Sequence, residues 1–96
     1  MNIYVPLLKN PADYWEHAGA FRKREEADAK LQMLGVRDGF VKVEEVAESE
    51  IRDGKVYVAS YYLSPEELFT YQGVYTDFDV AQRVVGAHGN ILGINI

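Results

Sequence analysis

The chain has no cysteine, two histidines, one tryptophan and three prolines in 96 residues. Without cysteine there is no disulfide, no thiolate metal site and no thiol nucleophile, which fits a reducing compartment. Two histidines fall short of the three or four ligands of a zinc site, and no acid stands at a fixed offset from either, so no metal and no cofactor are expected. No apolar run reaches the roughly 20 residues that span a bilayer. Met1 to Asn10 lacks the basic start and long apolar stretch of a signal peptide. The expectation is a cytoplasmic protein with no membrane partner. Basic residues are also few, 10 Lys and Arg against 15 Asp and Glu, giving a net charge of −5. That balance excludes a general phosphate-backbone binder, so nucleic acid is not an expected partner.

Apolar residues, by contrast, are plentiful at 48%, and seven of the aromatic residues are tyrosine. This composition belongs to an ordinary globular protein. The length suits a single domain spanning residues 1–96, one that buries about two-thirds of its unfolded surface.

The chain resembles itself. A shift that carries Pro11 onto Pro65 also carries Gly19 onto Gly73, Ala27 onto Ala81, Gly35 onto Gly89 and Gly39 onto Gly93. Trp15 then meets Phe69, and Phe21 meets Tyr75. Glycine and proline fix chain direction, so their coincidence carries weight. The reading is two repeats, residues 1–54 and 55–96, each running strand, strand, helix, strand.

In the first repeat, Ile3 to Leu8 is a short run of β-formers. Asn10-Pro11 offers a cap followed by Pro at a first helical position, and Ser64-Pro65-Glu66-Glu67 repeats it as a capping box. Both are expected to form single helical turns. Tyr14 to Phe21 and Leu68 to Tyr75 are the second strands. Gly19 and Gly73 within them suggest a helix crossing close above. Helices are expected at Arg22 to Leu34 and Asp77 to His88, the second capped by Thr76 or Asp77. Gly35 and Gly89 stand where left-handed C-terminal caps belong. Phe40 to Val46 and Ile91 to Ile96 close the units. Asp53-Gly54 is a two-residue hairpin signal, read as joining the halves into one sheet.

These elements describe an α+β fold: a two-layer ferredoxin-like sandwich of two ββαβ repeats, both helices on one face of a mainly antiparallel sheet. The other face is then open. The first strands are apolar on both faces, with Ile3, Val5 and Leu7 opposite Tyr4, Pro6 and Leu8. An exposed face should alternate with polar residues. An apolar, tyrosine-rich face marks an interaction surface. The candidate residues are Tyr4, Tyr14, Glu16, Val58, Tyr62, Leu68, Thr70 and Gln72, and the expected partner is a second copy of the chain or another protein.

Chemistry is harder to find. His17 and His88 align with Tyr71 and Leu34, which makes both of them half-buried packing positions. Ser49, Ser60 and Ser64 lack a nucleophile-elbow setting. Gly86, Gly89 and Gly93 match no dinucleotide or phosphate loop. Arg22-Lys23-Arg24 could hold an anion beside a helix start. The acidic run from Glu44 to Asp53 is either a solvated edge or a mimic of a phosphate surface. No catalytic residue is assigned.

The segment Tyr14 to Gly35, with Ala18-Gly19-Ala20-Phe21 followed by Ala27, Leu31, Leu34 and Gly35, resembles the start of a SPOR (sporulation-related repeat) domain. The resemblance implies a ferredoxin-like double repeat and glycan binding on the sheet face. Lys55 to Gly89 is similar to small phage and bacterial domains with a strand ending in Gly-Val-Tyr before a helix, which implies an accessory role. The leading expectation is a non-catalytic protein-interaction module, dimeric, of phage or mobile-element type. The alternatives are a ligand- or glycan-binding module and an acidic DNA mimic.

Overall fold

The computed structural model describes residues 1–63 and 68–96. The expected capping box at residues 64–67 lies outside the described residues. The chain is α+β. In order it forms β1 (Asn2–Lys9), β2 (Trp15–His17), α1 (Arg24–Met33) and β3 (Phe40–Glu45), then β4 (Lys55–Leu63), β5 (Leu68–Tyr75), α2 (Phe78–Val85) and β6 (Gly89–Asn95).

The strands build two sheets, where the sequence reading has one. Each sheet is three-stranded and antiparallel, ordered β2-β1-β3 and β5-β4-β6. The turn at Asp53-Gly54 does form. Its residues have φ of 58° and 61°, the left-handed pair that a tight hairpin turn needs. It closes on an Arg52–Lys55 bridge. However, a 3-10 turn at Glu48–Glu50 stands between Glu45 and that hairpin. β3 has therefore left the ladder before the chain turns, and it pairs only with β1.

The reason for two sheets is that β1 and β4 are apolar on both faces, and each face needs its own cover. Alternate residues of a strand face opposite ways. Ile3, Val5 and Leu7 of β1 form one buried cluster with Val56, Val58 and Val74 of the other sheet. Each such side chain gains about 1.5–3 kcal/mol by leaving water. The opposite face of β4 holds Ala59, packed with Ala81 and Val85 of α2 and flanked by Tyr57 and Tyr61. The opposite face of β1 meets α1, where Arg24 lies 5.3 Å over the Tyr4 ring and Ala27 and Leu31 are buried. The layers run helix, sheet, sheet, helix. The helices thus lie on opposite outer faces, where the sequence reading puts both on one face of a two-layer sandwich.

The mid-strand glycines have a different cause from the expected helix crossing. β5 carries a bulge: Ala59 pairs with Gly73, but Ser60 pairs with Tyr71, leaving Gln72 out of register. The bulge turns Phe69 and Tyr71 toward the other sheet, while Gly73 and Tyr75 face α2. A Cβ on Gly73 would meet the Tyr75 ring at 3.1 Å, and one on Gly19 would meet the Phe21 ring at 3.3 Å. Each glycine is thus covered by the aromatic ring two residues on. Gly19 has φ of 115°. β2 accordingly stops at His17 rather than reaching Phe21, which makes only a bridge to Tyr4.

This irregularity accommodates Pro6 in a central strand. Tyr4 and Phe21 exchange both backbone bonds, so the backbone of Pro6, two residues on, also faces β2. Its carbonyl accepts from the Ala18 N–H at 2.9 Å. No N–H is needed there.

The α2 cap forms as expected. Asp77 accepts from the N–H groups of Asp79 and Val80, whereas Lys23 at the start of α1 gives no side-chain cap. Gly35 is left-handed. Its counterpart is Gly86, with φ of 65°, and not Gly89, which is extended. Gly89 instead passes so close to Val85 that a Cβ would collide with that side chain.

Candidate functional site

The expected interaction residues do not gather on one face. Val58 is fully buried between the sheets, because the face assumed open is covered by the other half of the chain. Tyr4 is half-buried beneath Arg24 of α1. Leu68 and Thr70 share the α2 side of β5, opposite Leu63 and Tyr61, while Gln72 sits in the bulge. Tyr62 is exposed and tilts against Phe69, with ring centroids 5.2 Å apart. Tyr14 is exposed in the loop before β2.

Glu16 has a definite task. Its Oε1 accepts from the Phe69 N–H at 3.1 Å, while the Asn10 side-chain amide donates to the Phe69 carbonyl at 3.0 Å. Two side chains of the first half thus satisfy the backbone of the β5 edge in the second. Asn10 is buried, and its Oδ1 also accepts from Ala12 and Tyr14, holding the loop that was expected to be a helical turn. Asp13 pairs with Lys9 at 3.1 Å.

The histidines part company. His88 is exposed, against expectation, because the last turn of α2 tightens into a 3-10 turn at Gly86–His88. His17 is half-buried and faces the second sheet. Burial lowers its pKa, opposed by the charge of Glu16. Its Nδ1 accepts from the Gly19 N–H at 3.1 Å, which leaves the proton of the neutral ring on Nε2.

Two clefts remain. The larger, about 700 Å³, lies between the linker and the start of α2. Its aromatic residues are Tyr57, Tyr75 and Phe78, and its acids are Glu45, Glu50, Asp53 and Asp77, with Arg52 among them. Tyr57 and Phe78 meet edge to face at 5.7 Å. The Thr76 hydroxyl donates to Glu50 at 3.3 Å and fixes the linker to the β5–α2 junction. The acidic run is thus one wall of a cleft rather than a free edge.

The smaller cleft, about 250 Å³, lies between the sheets and is lined by Glu16, His17, Ser60, Phe69 and Asn90. Ser60 is 1% exposed, and its hydroxyl has no hydrogen-bond partner among the described residues. The buried hydroxyl of Tyr71 has no hydrogen bond of good geometry either, but it lies beside the Glu44 carboxylate and does not line this cleft. Burial first, and then the nearby carboxylate of Glu44, push the Tyr71 pKa far up. The sequence does contain a signal for this site. Val56, Val58 and Ser60 share one face, and Ser60 breaks an otherwise apolar series.

Among the described residues, no three His, Asp or Glu side chains are placed to hold a metal ion. No described helix is long and apolar enough to cross a membrane. Comparisons with protein families, with curated proteins and with solved structures return no match.

Proposed function

We propose that the chain is a non-catalytic protein-interaction module that takes a basic segment of a partner protein in the larger cleft. The observation that carries this reading is the combination of aromatic residues with an acidic rim in one concave site. Aromatic faces and carboxylates together favour Arg and Lys side chains, through cation–π and charge-assisted contacts. A net charge of −5 steers such a segment inward. The aromatic residues in the concave site favour a peptide over the flat acidic surface of a DNA mimic. The test is calorimetric titration with an Arg- and Lys-rich peptide and with its acidic counterpart. The expected result is saturable binding of the basic peptide that weakens with salt and is lost in Phe78→Ala. Equal heats from both peptides would refute the reading.

A second observation supports the dimer. β6, Gly-Asn-Ile-Leu-Gly-Ile-Asn, carries no charge and no proline, and it pairs only with β4. The other edges are blunted: β2 is three residues long, β3 carries Lys42, Glu44 and Glu45, and the β5 edge is held by Asn10 and Glu16. Natural sheets protect their edges unless they are used. Antiparallel pairing of β6 with its copy is self-complementary about a two-fold axis. The bond from the Ile96 N–H to the Gly54 carbonyl sets the ladder phase, so Ile91, Gly93 and Asn95 direct their backbone outward. Gly93→Pro removes an outward N–H and no ladder bond. It is expected to convert a dimer to a monomer in light scattering, and an unchanged mass would refute the pairing.

A further inference from the structure

The smaller cleft is distinct from both surfaces above, and the row of residues behind it is unusual for a core. Three side chains stand side by side on the inner face of the second sheet: Tyr71 on β5, Ser60 on β4 and Asn90 on β6. The first sheet has the same arrangement in His17, Leu7 and Phe40. There the central position is an apolar leucine, 2% exposed, and Phe40 packs edge to face on Trp15 at 4.8 Å. Leu7 and Phe40 show that the fold is satisfied by apolar residues at two of these places. In the second sheet it keeps a hydroxyl, Ser60, and an amide, Asn90, there instead. The Ser60 hydroxyl is buried with no partner among the described residues, a condition native interiors avoid.

Ser60 and Asn90 line one cavity, while the Tyr71 hydroxyl lies beside Glu44 and is not part of its lining. Ser60 supplies a hydroxyl at its base, and Asn90, which is exposed, supplies an amide at its mouth. The neutral His17 ring offers Nε2–H, its Nδ1 being engaged with Gly19. Glu16 spends Oε1 on the Phe69 N–H and keeps its second oxygen as an acceptor. Phe69 provides an aromatic wall. The lining mixes donors with acceptors, and its only full charge is negative, so it disfavours an anion. A volume of about 250 Å³ corresponds to on the order of ten non-hydrogen atoms, given about 30 Å³ per water in the liquid. An aromatic wall beside an amide with both donor and acceptor suits a flat ring whose edge carries N–H and C=O groups.

We propose that this cleft binds an uncharged heteroaromatic amide of nucleobase size, with Ser60 and Asn90 reading its polar edge and Phe69 packing against its ring. The test is a titration of the ¹⁵N-labelled full-length chain with adenine, cytosine, uracil and nicotinamide, followed by backbone and side-chain amide shifts. Glucose and benzoate serve as the non-planar and anionic probes. The expected result is saturable movement of the Ser60 and Asn90 signals by at least one planar probe, and none by glucose or benzoate. Ser60→Ala and Asn90→Ala should each weaken that binding at least tenfold while the spectra stay dispersed. A Gln82→Ala variant, remote from the cleft, should bind as the parent does. No saturable shift below about 5 mM of any planar probe, a range corresponding to less than about 3 kcal/mol of affinity, would overturn the proposal. So would preferential binding of glucose or benzoate, or binding that both cleft variants retain.

Discussion

Replacing Ser60 by alanine removes one oxygen from the centre of the molecule and is expected to stabilise it. The hydroxyl is 1% exposed and has no partner among the described residues. A buried polar group left unpaired costs about 1–3 kcal/mol in lost solvation. Alanine returns that cost and removes no bond. The β-methylene that packs between Val58 and the cleft is retained, so no cavity term of the kind that follows Leu→Ala enters. Serine and alanine also differ little in strand preference next to that cost. The expected net gain is about 1 kcal/mol, or a Tm about 4–8 °C higher for a domain of this size. The assay is urea unfolding followed by far-ultraviolet circular dichroism, with Trp15 fluorescence as a second probe. A higher midpoint at unchanged slope confirms the gain. A loss of stability would refute the reasoning, because it would mean that the hydroxyl is satisfied in the folded protein. The same variant is expected to lose ligand binding, so the residue would trade stability for function.

Other outcomes follow from the same contacts. Asn10→Ala removes the bonds to Ala12, Tyr14 and Phe69 and should cost about 2–3 kcal/mol at roughly 1 kcal/mol per bond, measured by the same unfolding curves. Asp77→Ala strips the α2 cap and should cost about 1 kcal/mol. The pKa of His17 is lowered in the fold by burial, so the unfolded chain binds the proton more readily. Stability should therefore be full above about pH 6.5 and decline as the pH falls below it, at up to about 1.4 kcal/mol per unit, levelling once the folded form also protonates. His17→Gln should flatten that decline, and an unaltered profile would place the titrating group elsewhere.

Much of the local structure is legible in the sequence, because it depends on neighbours in the chain. The β-formers of β1 and β4, the Asp77 cap, the left-handed Gly35 and the Asp53-Gly54 turn all act within a few residues. The layer arrangement depends on which face meets which, and there the periodic pattern is silent. Ile3, Val5 and Leu7 look the same whether a second copy or the chain's own β4 covers them. The surplus apolar face that suggested a partner is the inner face of the sandwich. The bulge in β5 matters as much. One extra residue at Gln72 sends Phe69 and Tyr71 to the face opposite Gly73 and Tyr75, so strict alternation misplaces half the strand. The helix α2 has eight residues against ten in α1, which is why Gly86 and not Gly89 matches Gly35. As for the site, Ser60 has no local motif that marks it as a nucleophile. What marks it is its place beside Val56 and Val58 on an apolar face, a signal that acquires meaning only once that face is known to be buried.

The account rests on the two sheets of one chain packing face to face. Methyl–methyl nuclear Overhauser effects between Val5 and Val58, recorded on a mixture of differently labelled chains, test this most directly. The account predicts strong cross-peaks within a chain and none between chains. Cross-peaks that arise only between chains would contradict it, since the apolar faces would then be a dimer interface and the cleft at Ser60 would lie between two molecules.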